Sequence, residues 1–202
     1  MSQVRQHGGK TLVVERLDQP DDLREENEDI RIRYPGFSPG SAYRLSFFSK
    51  RFRAERGIRG ATADDFIGYA ILKTDVVPSV VSLTRVYESV LRPSRHANNF
   101  IKGERPWACS VAGRPLSVSG YVYAQQNNLT NVCAHVALRT AAARFHPEGD
   151  MSYREMNRLV GIDHSSRKAG GTDGDGLDSQ EMVMILEAAG ARCFVADYRN
   201  PI

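Results

Sequence analysis

YVYAQQNNLTNVCAHVAL, residues 121 to 138, marks the change from a strand-rich region to a helix-rich one. It passes from aromatic, strand-like residues through a polar, turn-forming run into a segment rich in alanine and leucine. From Thr130 to Phe145 the apolar residues recur at the spacing of a helix with one buried face. The pattern predicts that this is the longest helix of the C-terminal region, with Cys133 in its first turn and the side chains of Val136 and Phe145 buried.

A cysteine in this position has a chemical use. A thiol is a poor nucleophile until it ionises, and the positive end of a helix dipole stabilises the thiolate. The side-chain amide of Gln126, or of Gln125 in the neighbouring register, can donate a hydrogen bond to the oxyanion that forms when the thiolate attacks a carbonyl. One such donor lowers the barrier by roughly 3 kcal/mol. The other interpretation is that Cys133 is a small buried residue of an alanine-rich helix.

These residues resemble the papain-like cysteine-peptidase superfamily, and more closely the bacterial C39-like peptidases. The resemblance covers about residues 120 to 198 and is carried by Gln126 or Gln125, by CAHVAL at 133–138, and by Gly176-Leu177 followed by a helix that closes at Gly190 and a strand. The family usually has glycine after the cysteine, where this chain has Ala134. The resemblance implies a thiol hydrolase acting on a peptide or isopeptide bond, with Cys133 as nucleophile and no cofactor.

The resemblance also implies a histidine base on a later strand, oriented by an Asp or Asn. His135 is two residues along the helix from Cys133, and its side chain is expected to point about 200° away. His146 lies at the far end of the helix, roughly 20 Å from its start. This leaves His164, in a loop, as the candidate within the sequence. Otherwise we expect the histidine strand to lie beyond Ile202, so that the chain is a fragment or a relative without a base.

Charge is unevenly distributed near the N-terminus. Residues 18–29 are mostly acidic, whereas residues 50–59 carry five basic side chains and one acidic side chain. One interpretation is that the two stretches form solvent-exposed faces that pair with each other. The other is a phosphate-binding patch with interleaved aromatic residues. Those aromatic residues, Phe47, Phe48 and Phe52, are expected in the core.

The remaining elements follow from local signals. Strands are predicted at 66–73, 80–86, 107–111 and 117–123, with a turn at 112–115 between the last two. Ser152-x-x-Glu155 and Asp178-x-x-Glu181 have the form of capping boxes and predict helices that end near Gly161 and Gly190. A strand is expected at 192–198.

The predicted fold class is α+β. It consists of a papain-like left-hand helical part with an incomplete sheet over residues 120–202. A small, mixed and β-rich region precedes it at 61–119, and an irregular, charge-segregated segment occupies 1–60.

Composition limits the function classes. Hydrophobic residues make up 41% and charged residues 25% of the chain, as in globular proteins. The start lacks the apolar core of a signal peptide, and no window reaches the ~20 apolar residues of a membrane helix, so a cytoplasmic location is expected. Three scattered cysteines predict neither a disulfide scaffold nor a zinc site. We expect no metal and no cofactor.

Two functions remain open. The first is a thiol hydrolase whose partner is a peptide or protein substrate. The second is a non-catalytic, peptidase-like binding module that docks an acidic partner or nucleic acid through residues 50–59. Nucleic-acid binding is not expected, because the net charge is only +3 and the acidic stretch offsets the basic one.

Overall fold

The protein is a mixed α+β structure built on antiparallel sheets. The computed structural model describes residues 2–18, 21–78, 82–94, 105–125, 129, 133–162 and 176–196. The strands are β1 (Thr11–Arg16), β2 (Ser38–Phe48), β3 (Phe66–Val76), β4 (Leu83–Leu91), β5 (Pro106–Val111), β6 (Arg114–Ser119) and β7 (Tyr121–Tyr123). The helices are α1 (Ser2–Gln6), α2 (Asp21–Arg33), α3 (Glu55–Ile58), α4 (Cys133–Ala142), α5 (Tyr153–Leu159) and α6 (Ser179–Ala188).

Five strands form one sheet in the order β1-β2-β3-β4-β7, and β5 and β6 form a separate hairpin. The main core lies between one face of the sheet, the hairpin and α3; it contains Phe48, Ile58, Phe66, Val90, Val111 and Val122. The Phe48 ring lies 5.3 Å from the rings of both Phe52 and Phe66. The three phenylalanines at 47, 48 and 52 therefore pack as expected, Phe47 and Phe48 being buried and Phe52 packed against the core.

The second core is helical. It joins α4, α5 and α6 through Leu138, Ala142, Met156, Ile185 and Ala189, with Met151 and Leu177 beside them. α4 also packs against β7, so the helices are attached to the edge of the sheet that β7 forms. The division of the chain at residue 120 stays a prediction.

The N-terminal 60 residues differ most from expectation. Instead of an irregular segment they form α1, β1, α2, β2 and α3, and β2 pairs with β3 over most of its length. Strand β2 was not predicted because it contains Pro39 and Gly40, and both residue types are rare inside strands. A shift of register between Pro39 and Ala42 accommodates them.

The other strands match the expectations in part. β3 and β5 lie where they were predicted, and the turn between β5 and β6 has positive φ at Ala112 (49°) and Gly113 (74°), which suits a tight hairpin. β4 begins later than predicted and runs to Leu91. The single strand predicted at 117–123 is two strands that divide at Gly120, where a Cβ atom would lie 2.2 Å from the carbonyl oxygen of Leu91.

Both predicted capping residues are confirmed. Ser152 Oγ accepts a hydrogen bond from the N–H of Glu155 at the start of α5. Asp178 Oδ1 accepts from the N–H groups of Gln180 and Glu181 at the start of α6, and Glu181 completes the capping box. The strand predicted at 192–198 is not formed over residues 192–196, which are irregular, and Phe194 is 91% exposed; residues 197 and 198 lie outside the described residues.

Replacing Asp178 with alanine is expected to lower the free energy of unfolding by about 1 kcal/mol, because two N–H groups of α6 lose their acceptor. Gln180→Ala is the matched control, since that exposed side chain takes no part in the cap. Urea unfolding of both variants measures the difference. An Asp178→Ala variant as stable as the control would show that the capping box contributes nothing.

Candidate functional site

The candidate site begins with the position of Cys133 in the backbone. Cys133 is the first residue of α4, which confirms the prediction of a cysteine in the first turn of a helix. The helix is shorter than predicted: it ends at Ala142, in turns closed by the bonds from the N–H groups of Phe145 and His146 to the carbonyl of Ala142. Over the described residues α4 therefore has ten residues, the same number as α6; residues 130–132 of the prediction lie outside the described part of the chain.

The burial of α4 also differs from expectation at one end. Val136 packs against the main core, but Phe145 lies beyond the helix and is 52% exposed. The buried face of the helix is formed by Leu138 and Ala142, together with two polar residues, His135 and Arg139.

Arg139 holds α4 against the sheet. Its Nη1 donates to Glu88 Oε2 of β4 at 2.8 Å, and its Nε and Nη2 donate to the two carboxylate oxygens of Asp150 at 2.8 and 2.6 Å. The guanidinium group lies 5.3 Å from the ring centroids of both Trp107 and Tyr153. An arginine with two carboxylates and two aromatic rings fixes the position and rotation of the helix that begins at Cys133.

Tyr69, Tyr153 and Arg139 all keep their protons around neutral pH. Burial, reinforced by the charge of Glu88, raises the pKa of the Tyr69 hydroxyl well above its usual range, so Tyr69 remains a donor to Glu88 Oε1 at 2.6 Å. Burial raises the pKa of Tyr153 to about 12, although the charge of Arg139 opposes the shift. For Arg139 itself, burial disfavours the charge, but the Asp150 hydrogen bond and Glu88 outweigh it and raise the pKa.

His135 faces α5. Its Nε2 lies 2.7 Å from Asn157 Oδ1, its ring is edge-on to Tyr153 at 6.2 Å, and the residue is 3% exposed. His135 is thus a buried contact between α4 and α5. That it does not serve Cys133 as a base stays a prediction.

Gln125 extends the pairing of β7 with β4. Its N–H donates to the carbonyl of Val86 at 2.8 Å, and its side-chain Oε1 accepts from the N–H of Val86 at 3.3 Å. The side-chain NH₂ group, which is the part an oxyanion would need, is on an exposed residue. The other two candidates, Gln126 and His164, lie outside the described residues.

Leu129 is a second anchored residue before Cys133 in the sequence. It is buried with Ile30, Phe37 and Val77, in a cluster formed between α2 and the loops that flank β2 and β3. Two positions that precede α4 in the sequence are therefore anchored: Gln125, which is bonded to Val86 of β4, and Leu129 in this cluster.

A buried group of four charges was missed by the sequence analysis. Glu26 of α2 contacts Lys73 Nζ at 2.5 Å and Arg85 Nη2 at 2.7 Å, while Asp75 contacts the same two cations at 2.9 and 3.2 Å. We call Glu26, Lys73, Asp75 and Arg85 the buried quartet, since none of its side chains is more than 9% exposed. The only sign of this group in the sequence was the pair of opposite charges two residues apart, Lys73 and Asp75, in β3.

The acidic residues of α2 pair differently from the expectation. Glu28 and Asp29 contact Arg154 of α5 at 3.1 and 2.8 Å, and Glu26 belongs to the buried quartet. Among the described residues, the basic segment 50–59 makes one ion pair, between Lys50 and Asp65 at 3.8 Å. The described side chains of the two stretches therefore form no ion pair with each other.

The two other cysteines have different surroundings. Cys109 on β5 is half-buried, and burial raises the pKa of its thiol to about 11. Cys193 is half-buried in the irregular segment that follows α6, rather than in a strand.

No protein-family model, curated protein or solved structure matches this chain. In the described part of the chain no helix is long and apolar enough to cross a membrane. Within the same residues, no three His, Cys, Asp or Glu side chains lie together as metal ligands would.

Proposed function

We propose that the chain is a thiol hydrolase of the papain-like type, which cleaves a peptide or isopeptide bond with Cys133 as nucleophile. The observation that carries the proposal is that Cys133 is the first residue of a ten-residue helix whose orientation Arg139 fixes. The papain-like arrangement of the helical part belongs to the same proposal. So does a cytoplasmic location, where thiols remain reduced.

The chemistry follows from this position. The N–H groups at the start of α4 stabilise the thiolate, which attacks the carbonyl carbon of the substrate. The side-chain amide of Gln126 or Gln125 donates to the oxyanion. The leaving amine then takes a proton from a histidine, a role for which His164 is the candidate in this sequence. Water then cleaves the acyl thioester, which releases the product acid and frees Cys133.

The proposal predicts that Cys133 is the most reactive thiol. At pH 7–8, iodoacetamide is expected to label Cys133 at least about tenfold faster than Cys109, because the helix terminus favours the thiolate. A pKa raised to about 11 keeps Cys109 in the unreactive thiol form at pH 8 and delays its labelling until the pH approaches that value. Peptide mass spectrometry across a pH series measures all three rates.

The matched control is the same labelling in concentrated urea, where the three thiols should react at similar rates. If native Cys133 reacts no faster than Cys109 and Cys193, it is a packing residue and the proposal fails. We expect no turnover of peptide substrates by the 202-residue chain. Hydrolysis that His164→Ala abolishes would contradict this expectation and would place the base within the sequence.

An exposed basic segment favours a second function, docking of an acidic partner. All five basic side chains of residues 50–59 are exposed. Such a surface attracts acidic chains and raises their rate of association, especially at low salt. This function requires no chemistry at Cys133.

A further inference from the structure

A groove runs along the free edge of the five-stranded sheet. It has a volume of about 510 Å³, and residues 11–15 of β1 line one side while residues 52–55, Ile58 and Ala112 line the other. Successive residues of a strand face opposite sides of the sheet. A groove lined by all five consecutive residues therefore reaches the backbone at the edge of the strand as well as the side chains of one face.

The backbone of β1 presents hydrogen-bonding groups to this groove. The N–H of Leu17 bonds to the carbonyl of Ala42, and β1 continues this antiparallel register through the pairs Glu15–Arg44 and Val13–Ser46. Because hydrogen-bonded pairs alternate along an antiparallel ladder, the N–H and C=O groups of Leu12 and Val14 point away from β2. Within the described part of the chain, no group outside the sheet bonds to them, so they are available to an added strand.

Hydrogen bonds connect β1 to the other residues that line the groove at both ends of the strand. Thr11 Oγ1 donates to the carbonyl of Lys50 at 2.7 Å and accepts from the N–H of Phe52 at 3.0 Å. At the other end, the N–H of Ala112 donates to Glu15 Oε1 at 2.8 Å. The apolar wall of Phe52 and Ile58 belongs to the main core, so the groove exists before any ligand binds. Five residues of strand span about 17 Å, the length of a short extended peptide.

Charge indicates the chemistry of the occupant. Three charged residues line the groove: Glu15, whose carboxylate is paired with Arg44 at 3.0 Å, and Arg53 and Glu55 of the basic segment. The other basic residues of that segment, Lys50, Arg51, Arg56 and Arg59, are exposed beside the groove rather than in its lining, and they make the charge around it positive. We propose that the groove binds an acidic peptide in extended conformation, which adds to β1 as a sixth strand of the sheet. This inference rests on the docking function proposed for the basic segment and is independent of Cys133. Main-chain bonds to Leu12 and Val14 supply affinity, and the arginines select acidic side chains.

The test uses a fluorescein-labelled eight-residue peptide of alternating valine and glutamate, with fluorescence polarisation at 50 and 300 mM salt. We expect binding that weakens at the higher salt, and at least about tenfold weaker binding of a peptide in which lysine replaces glutamate. Val14→Pro removes one outward N–H and should weaken binding at least about tenfold. Val14→Ala keeps that N–H and should change the affinity less than about threefold.

Hydrogen exchange of the wild-type chain gives a second measurement that needs no variant. The bound peptide should slow hydrogen exchange at the amides of Leu12 and Val14. Unchanged exchange at these two amides would contradict the proposal that the peptide pairs with β1. If Arg53→Glu weakens peptide binding but Val14→Pro does not, the peptide does not add to β1, and the proposed binding mode is wrong. The docking function of the basic segment would still stand. Two further results would show that a peptide is not the ligand. The first is that a 20-nucleotide single-stranded DNA binds more tightly than the peptide and that Val14→Pro leaves its affinity unchanged. The second is that light scattering shows a dimer which Val14→Pro dissociates.

Discussion

Replacing Glu26 with glutamine is expected to lower the free energy of unfolding by about 3–5 kcal/mol. The substitution keeps the shape of the side chain but leaves Lys73 and Arg85 with Asp75 as the only carboxylate of the buried quartet. A buried, uncompensated cation is costly because desolvation is no longer offset by attraction between opposite charges. Urea unfolding at neutral pH measures the loss.

A double substitution separates the charge effect from a packing effect. Glu26→Gln combined with Lys73→Met removes one charge of each sign, so a large part of the lost stability should return, with a coupling energy above about 2 kcal/mol. Glu28→Gln is the matched control on the same helix. Its side chain is 49% exposed in a surface ion pair, so the expected change is below about 1 kcal/mol. A Glu26→Gln variant as stable as Glu28→Gln would show that the quartet is not a desolvated unit.

Replacing Arg139 with methionine is expected to cost about 3–5 kcal/mol. The variant leaves Glu88 buried without its cation and removes the group stacked between Trp107 and Tyr153. Trp107 is the only tryptophan of the chain, so its fluorescence reports directly on this contact. We expect a changed emission spectrum of the folded variant together with a lower urea midpoint.

Two variants check the cause. Arg139→Lys keeps the charge but cannot bind Asp150 through two nitrogens or stack in the same way, so its loss should be intermediate. Arg158→Met, at an exposed arginine of α5, should change stability by less than about 0.5 kcal/mol. If Arg139→Met unfolds at the wild-type midpoint, the arginine does not hold α4 against the sheet. Labelling of Cys133 in the folded variant would then show whether the helix orientation matters for the thiol.

The elements that the sequence predicted are those set by neighbouring residues. Asp178 caps a helix through N–H groups two and three residues away, and the turn at Ala112-Gly113 depends on two adjacent backbone conformations. The start of α4 near Cys133 was predictable for the same reason, because an apolar period and a preceding polar run are local features. Strand β2 was missed because Pro39 and Gly40 are poor strand residues that pairing with β3 nevertheless accommodates.

Local features of the sequence were enough to predict that Cys133 lies in the first turn of a helix, that α5 and α6 are capped, and that residues 50–59 form a basic stretch. Which charges are buried together depends instead on long-range contacts in the fold. Glu26 lies 47 residues from Lys73 and 59 from Arg85, and Arg139 lies 51 residues from Glu88. Nothing near Glu26 in the chain distinguishes it from Glu25 or Glu28. The difference arises when α2 packs on the sheet, since desolvation makes a charge depend on partners that only the fold brings within hydrogen-bonding distance.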